Sequence, residues 1–122
     1  MQLASALKGV ARHKEALLDP GSVSNPTYIS EHAHRLSQYI GVLDDVLADM
    51  EAELEINESN SFNEHVKSGK SANASKELIR REFTKERSEI IRLTRLTSSG
   101  WKLVSESQSR VKHLIAEATN QI

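Results

Sequence analysis

Residues 28–55 read YISEHAHRLSQYIGVLDDVLADMEAELE, and this stretch decides the fold class. Its apolar side chains recur at alternating intervals of four and three residues: Ile29, Ala33, Leu36, Ile40, Leu43, Leu47, Met50 and Leu54. This heptad spacing keeps them on one face of an α-helix and is typical of helices that pack against other helices. The stretch therefore predicts a helix over residues 28–55, about 40 Å long at about 1.5 Å per residue.

The C-terminal part of the chain repeats this pattern. Residues 75–120 contain no proline, and an apolar seam of the same spacing runs through them. The string Ser98-Ser99-Gly100 is the weakest point, since glycine costs about 1 kcal/mol inside a helix. Because the seam keeps its phase across this string, we predict one continuous helix over residues 75–120.

Shorter segments complete the predicted organisation. Residues 2–18 carry apolar side chains near helical spacing, which predicts a short amphipathic helix. Residues 19–27 have the proline, glycine and asparagine content of a linker. Residues 56–74 are rich in asparagine, serine, glycine and lysine, and we expect a flexible basic loop there.

The length of 122 residues predicts a single domain over residues 1–122. Only 38% of the residues are hydrophobic and 4% aromatic, so a large globular core is not expected. Helices with narrow apolar seams bury them against each other or against a second copy. We expect an all-α fold in which the short helix joins two long helices packed as a coiled-coil-like hairpin, assembling into a homo-oligomeric bundle.

The side chains expected in this core or oligomer seam come from both long helices. They are Ile29, Leu36, Ile40, Leu43, Leu47, Met50, Leu54, Ile79, Phe83, Ile90, Leu93, Trp101, Val104, Val111 and Leu114. For Trp101, a place in the core or at a subunit interface is favoured, and stacking against a base is the alternative.

Several protein classes are excluded by composition. The chain has no cysteine, which excludes disulfides, thiol catalysis and thiolate metal sites and fits a reducing compartment. No apolar run approaches the roughly 20 residues of a membrane span, and the first residues lack the features of a signal peptide. We expect a cytoplasmic protein.

No residue pattern predicts catalysis or metal binding. Asp44 and Asp45 are adjacent and have no partner acid or base. His32 and His34 lie two residues apart, so on a helix they point to different faces and cannot easily share an ion. Residues 68–71, SGKS, resemble the end of a phosphate-binding loop but lack its earlier glycine and its preceding strand. We expect a non-enzymatic protein without metal or cofactor.

The basic residues are distributed unevenly. The formal net charge is −1, but residues 1–63 carry four basic and ten acidic side chains, and residues 64–122 carry twelve and seven. A row with the spacing of the seam contains five cations, two hydroxyls and no acid: Arg81, Lys85, Ser88, Arg92, Arg95, Ser99 and Lys102. Such a row suits a phosphate backbone, because each phosphate contact releases counterions.

The predicted nucleic-acid-binding residues are Lys67, Lys70, Lys76, Arg80, Arg81, Lys85, Arg92, Arg95 and Lys102. The alternative is that these cations pair with the acidic side chains of residues 44–55. The protein would then be a helical structural, adaptor or inhibitor protein that acts through protein–protein interaction without nucleic acid. A row that faces solvent favours the first interpretation, and a row that meets residues 44–55 favours the second.

Two segments resemble the bacteriophage recombination mediator family, the UvsY-type proteins. One is Asn25-Pro26 with the helical stretch after it, which ends in a leucine–glutamate run. The other is residues 89–118, with the pair Ser109-Arg110 and a basic and apolar ending at residues 111–113. The basic stretch that follows the first long helix in the family is replaced here by residues 55–58, EINE, so the family's DNA contacts are not carried over residue by residue.

The resemblance implies a small all-helical subunit that assembles into a ring-like homo-oligomer and binds single-stranded DNA on a basic surface. It also implies that the assembly helps to displace a single-strand-binding protein and loads a recombinase, in the cytoplasm of a bacterial host. The preference for single-stranded DNA follows from the resemblance alone.

Overall fold

The structure is a computed structural model that describes residues 2–22 and 24–120, with all their side chains except that of Ser22. The described chain is all-helical, which confirms the predicted fold class. Its elements are α1 (Gln2–Leu18), a 3₁₀ turn (Pro20–Ser22), α2 (Pro26–Lys67), α3 (Ala72–Glu82) and α4 (Thr84–Asn120). In this described part, no helix combines the length and the apolar character needed to cross a membrane.

Helix α1 occupies the predicted residues, whereas α2 is longer than predicted. Asn25 caps the start of α2, where its side-chain oxygen accepts the Tyr28 backbone N–H at 3.1 Å, and Pro26 takes the first helical position. The predicted loop over residues 56–74 is wrong for most of its length, because α2 continues to Lys67 and α3 begins at Ala72.

Helix α2 ends in a Schellman motif. Gly69 has a φ of +93°, and the Lys70 and Gly69 N–H groups donate to the carbonyls of His65 and Val66 at 3.2 and 3.0 Å. Two residues later the Ser71 side chain accepts the Ala74 N–H at 3.1 Å and caps α3. The segment expected as a loop is therefore a tight turn with a defined hydrogen bond at each end.

The predicted continuous helix over residues 75–120 is also wrong, because α3 ends at Glu82 and α4 begins at Thr84. Side chains replace the backbone hydrogen bonds lost at this break. The Thr84 hydroxyl donates to the carbonyls of Arg80 and Arg81 at 3.0 and 3.2 Å. Gly100, the expected weak point, lies inside α4.

The described chain divides into two compact units, where the length predicted one domain. The first comprises residues 1–45 and 95–122. Its buried apolar core is formed by Ala6, Val10 and Leu17 of α1, by Ile29, Ala33, Leu36, Ile40 and Leu43 of α2, and by Val104 of α4. Glycines allow the helices to approach closely, because a Cβ at Gly9 would overlap the Tyr39 ring and one at Gly100 would overlap Ile40.

The second unit comprises Val46–Thr94, which includes the end of α2, all of α3 and the start of α4. Its buried apolar side chains are Leu47, Ile79 and Leu93. The seam residues Met50, Leu54, Phe83 and Ile90 are only half-buried. The second unit therefore has a much smaller closed core than the first.

The structure buries most of the predicted seam, but Trp101 does not lie in the core. Val111 and Leu114 are half-buried and pack against the core of the first unit. Trp101 is 42% exposed, and its indole N–H donates to the Asp44 carboxylate at 2.8 Å. Trp101 was predicted to lie in the core or at a subunit interface, but its indole is exposed and hydrogen-bonded to Asp44. A role at a subunit interface stays a prediction for Trp101.

Candidate nucleic-acid interface

The predicted basic residues are distributed over three helices and one turn. Lys67 ends α2, Lys70 lies in the following turn, and Lys76, Arg80 and Arg81 belong to α3. The break before Thr84 separates these residues from the rest of the row. The prediction of one row on a single helix is therefore wrong, because Arg81 lies on α3 and the other residues of the row lie on α4. The α4 row is what remains on one helix: Lys85, Ser88, Arg92, Arg95, Ser99 and Lys102.

All side chains of the α4 row are exposed. Lys85 and Arg92 belong to the second unit, and Arg95 and Lys102 to the first. None of these four cations has an acidic oxygen of its own unit within 4.0 Å, within the residues that the structure describes. The row is thus available to an anionic ligand within each unit.

Lys14 of α1 adds a cation to the row in the first unit. Its Nζ donates to the Ser99 hydroxyl of α4 at 2.9 Å. Arg95 lies one helical turn before Ser99 and Lys102 one turn after it. A cation of α1 therefore lies beside the part of the row that carries Arg95 and Lys102. The sequence analysis missed Lys14 because no pattern in the sequence relates residue 14 to residue 99.

The α3 cations make local ion pairs. Arg80 and Arg81 lie 3.7 and 3.6 Å from Glu77, and both arginine side chains are more than three-quarters exposed. Exposed pairs of this kind contribute about 0–1 kcal/mol, so a phosphate can displace Glu77 at little cost. Lys76 is exposed as well.

Lys70 is held by a hydrogen-bonded cluster. Its Nζ lies 3.2 Å from His65 Nδ1, and His65 Nε2 lies 2.5 Å from Glu82 Oε1. Ser61 donates to the other Glu82 oxygen at 2.7 Å. The hydrogen bonds from Ser61 and His65 lower the pKa of Glu82. Lys70 thus has a structural partner, whereas the neighbouring Lys67 is exposed.

One basic residue of α4 points away from the row. The Arg87 side chain is 31% exposed, and its guanidinium lies 3.1 Å from the carboxylate of Glu58 of α2. It also donates to the carbonyls of Ile79 and Arg80 at 3.2 and 2.7 Å. Arg87 therefore stabilises the second unit and is not a candidate ligand for phosphate.

The histidines make a contact that the sequence did not indicate. His32 pairs with His13 of α1, and their Nδ1 atoms lie 2.8 Å apart. Burial, together with His32, Arg12 and Arg35, lowers the pKa of His13. Within residues 2–22 and 24–120, no three histidine, aspartate or glutamate side chains are grouped to hold a metal ion.

Comparisons with protein-family models, with curated proteins and with solved structures find no match to this chain. The functional interpretation therefore depends on the residues of the chain itself, and above all on the exposed α4 row.

Proposed function

We propose that this protein is a non-catalytic mediator of DNA recombination that binds single-stranded DNA through an oligomeric basic surface. In this role it helps to load a recombinase on DNA coated with single-strand-binding protein. The observation that carries the proposal is the α4 row, whose four cations are exposed and, among the residues that the structure describes, have no acidic partner in their own units. The resemblance to the UvsY-type family supplies the identity of the partners.

The spacing of the row suits a contact with a phosphate backbone. In each unit the row offers two cations seven residues apart, which is about 10 Å along the helix axis at about 1.5 Å per residue. They are Lys85 and Arg92 in the second unit, and Arg95 and Lys102 in the first. Each cation that neutralises a phosphate releases a counterion, so affinity depends on salt and not on sequence. One subunit offers few such contacts, and several linked subunits multiply their effect.

In the proposed mode of binding, base stacking contributes little to the affinity for DNA. Trp101 precedes Lys102, but a helix turns by about 100° per residue, so the two side chains leave α4 in different directions. The indole is also engaged with Asp44. The preference for single-stranded over duplex DNA therefore rests on the family resemblance.

The second candidate function is a helical interaction protein without nucleic acid. The half-buried apolar side chains of the second unit favour it, since such side chains are suited to contact another protein. The two candidates differ in one property: only the first requires that the cations of the α4 row bind phosphate.

Fluorescence anisotropy with a labelled single strand of about 30 nucleotides tests the proposal, because this length accommodates several subunits. A duplex of equal length serves as the comparison, and both are titrated at low and high salt. We expect tighter binding to the single strand and a steep loss of affinity with salt.

Absence of binding at low salt, where electrostatic attraction is least screened, would reject the nucleic-acid proposal in favour of the interaction protein. Equal affinity for the two DNA forms would reject the single-strand preference and leave a general phosphate-binding surface.

A further inference from the structure

The second unit has an open apolar groove of about 600 Å³, which is lined by residues of all three of its helices. Five apolar side chains form the floor of the groove: Leu54, Phe62, Ile79, Ile90 and Ile91. Only Ile79 among these is buried, and Ile91 is 50% exposed. Because covering such side chains removes apolar area from water, the groove favours contact with an apolar surface of another molecule.

Carboxylates line the α2 edge of this groove. Glu51, Glu55 and Glu58 follow one another at intervals of four and three residues, so they share one face of α2. Glu51 and Glu55 are exposed, and among the described residues neither has a cation of the second unit within 4.0 Å. Arg87 is the one cation among the described lining residues, and it is paired with Glu58. Two free carboxylates beside an apolar floor disfavour an anionic ligand and suit a cationic one.

A second, smaller cavity extends this acidic surface. Leu54 and Ile90 also line this cavity, which has a volume of about 240 Å³. Three further glutamates line it, and all of them are exposed: Glu53, Glu86 and Glu89. In the described part of the chain, none of the three has a cation of the second unit within 4.0 Å. A ligand seated over Leu54 and Ile90 therefore meets negative charge from both cavities.

The groove has the length of a short helix. Along α2 its lining extends from Glu51 to Phe62, which is about 16 Å at about 1.5 Å per residue. Three turns of an α-helix have this length. An amphipathic helix enters such a groove with apolar side chains at positions i, i+3, i+4 and i+7, and lysine or arginine beside these positions can pair with the carboxylates.

A helix in this groove leaves the α4 row accessible. Around the axis of α4, Ile90 and Ile91 point about 100–160° away from Lys85 and Arg92, since a helix turns by about 100° per residue. An α-helix is about 10–12 Å across, so it fills the groove without covering the far face of α4. The cations of the row repel a basic ligand, which directs the charged flank of that ligand toward α2.

We infer that this groove is the docking site for a cationic amphipathic helix of a partner protein. The apolar face of that helix covers Ile91 and its neighbours, and lysine or arginine side chains along its flank pair with Glu51 and Glu55. The inference concerns a protein partner and goes beyond the proposed function, because it does not depend on nucleic-acid binding by the α4 row.

Fluorescence anisotropy of a labelled helical peptide tests the inference on the full chain. The probe is a peptide of about 14 leucine and lysine residues, with the leucines at helical spacing so that they form one face. A second peptide has glutamate in place of each lysine, and a third has the composition of the first with its leucines on all faces. We expect the first peptide to bind at least about tenfold more tightly than either of the others.

Two lysine variants test the apolar floor. Ile91→Lys removes an aliphatic side chain of the groove and adds a repulsive charge, at a position exposed enough to keep the fold, which circular dichroism verifies. Ile56→Lys makes the same exchange at a side chain that is 60% exposed and lines neither cavity. We expect Ile91→Lys to weaken binding of the leucine–lysine peptide at least about tenfold and Ile56→Lys to change it less than about twofold.

Two pairs of glutamine substitutions test the carboxylates. Glu51→Gln/Glu55→Gln removes two charges of the groove with little change of shape, whereas Glu15→Gln/Glu117→Gln removes two exposed charges of the first unit. We expect the groove pair to weaken peptide binding about threefold to tenfold and to reduce its salt dependence. The control pair should change the affinity less than about twofold.

Equal binding of the leucine–lysine and leucine–glutamate peptides would overturn the cationic ligand, and equal losses in the two lysine variants would overturn the groove as its site. Self-association that Ile91→Lys abolishes in sedimentation velocity, and that Ile56→Lys leaves intact, would assign the groove to a second copy of the chain instead. The peptide titration contains no nucleic acid, so failure of the groove and failure of the α4 row are distinguishable.

Discussion

Arg87 of α4 donates a hydrogen bond to Glu58 of α2 across 3.1 Å, and the same guanidinium donates to two carbonyls at the end of α3. One side chain thus joins the three helices of the second unit. Because Arg87 lies on α4 and both carbonyls belong to the last residues of α3, Arg87 also stabilises the break between α3 and α4.

Arg87→Ala should therefore destabilise the protein. We expect a loss of about 2 kcal/mol, since hydrogen bonds to charged groups contribute about 1.5–3 kcal/mol and partial exposure reduces this. Arg87→Lys should recover part of the loss, because lysine keeps the charge but lacks the fork of donors. Urea denaturation followed by circular dichroism measures the change. Arg92→Ala, at an exposed position, should alter stability by about 0.5 kcal/mol or less, and equal effects of the two alanine variants would contradict this role of Arg87.

Two glycine substitutions should have opposite effects. Gly9→Ala places a Cβ inside the Tyr39 ring, so the helices must separate and stability should fall by about 1–3 kcal/mol. Gly41→Ala has no neighbour within 4 Å and lies inside α2, so it should raise stability by about 0.5–1 kcal/mol through helix propensity. Thermal unfolding of the two variants checks the sign, and stabilisation by Gly9→Ala would disprove the close contact.

Stability should decrease as the pH falls from about 7.5 to about 5. The pKa of His13 in the folded protein lies below its ordinary value near 6.5, so the unfolded chain binds more protons in this range. Burial is the first cause, and His32, Arg12 and Arg35 add to it. The stability that neutral His13 contributes is fully present above the pKa of this residue in the unfolded chain, and it is lost as the pH falls through and below that value. The lowered pKa of Glu82 acts only below about pH 4.5.

The double variant His13→Gln/His32→Gln tests this origin of the pH dependence, because it keeps polar side chains at both positions and removes the imidazole of His13 together with that of its hydrogen-bond partner. Urea denaturation at several pH values should give a smaller slope of stability against pH than in the wild type. A slope equal to that of the wild type would assign the pH dependence to other groups.

Charge reversal in the α4 row should weaken nucleic-acid binding. We expect Arg92→Glu/Arg95→Glu to reduce the affinity for single-stranded DNA at least about tenfold and to lower the salt dependence, because phosphate contacts are lost. Lys8→Glu/Lys112→Glu changes the net charge equally at exposed positions outside the row. Anisotropy should separate the two variants. An equal loss in both would indicate a nonspecific effect of net charge.

The heptad spacing correctly predicted where helices occur in the chain, but it did not predict the residues at which they end. Composition suggested a loop after residue 55, but the helix continues because Glu58, Ser61 and His65 bond to residues of α4 and α3. These partners are distant in sequence, so local propensity could not reveal them. Gly100 was the expected weak point of a helix predicted to continue through it, and α4 does continue there; the missing Cβ lets α4 approach Ile40.

The sequence predicted the candidate site only in part. The spacing of the α4 row could be read directly, because residues on one helix face recur at fixed intervals. The additional cation at Lys14 depends on the docking of α1, and the engagement of Arg87 depends on the position of Glu58. Both are products of tertiary packing and have no signature in residue spacing.

The position of Trp101 makes the first unit separately observable. Trp101, Tyr28 and Tyr39 all belong to that unit, while the second unit contains phenylalanine as its only aromatic residue type. Intrinsic indole emission therefore reports the unfolding of the first unit, whereas the far-ultraviolet signal follows the helices of both. Where the two denaturation curves diverge, the difference between them gives the stability of the second unit without any added label.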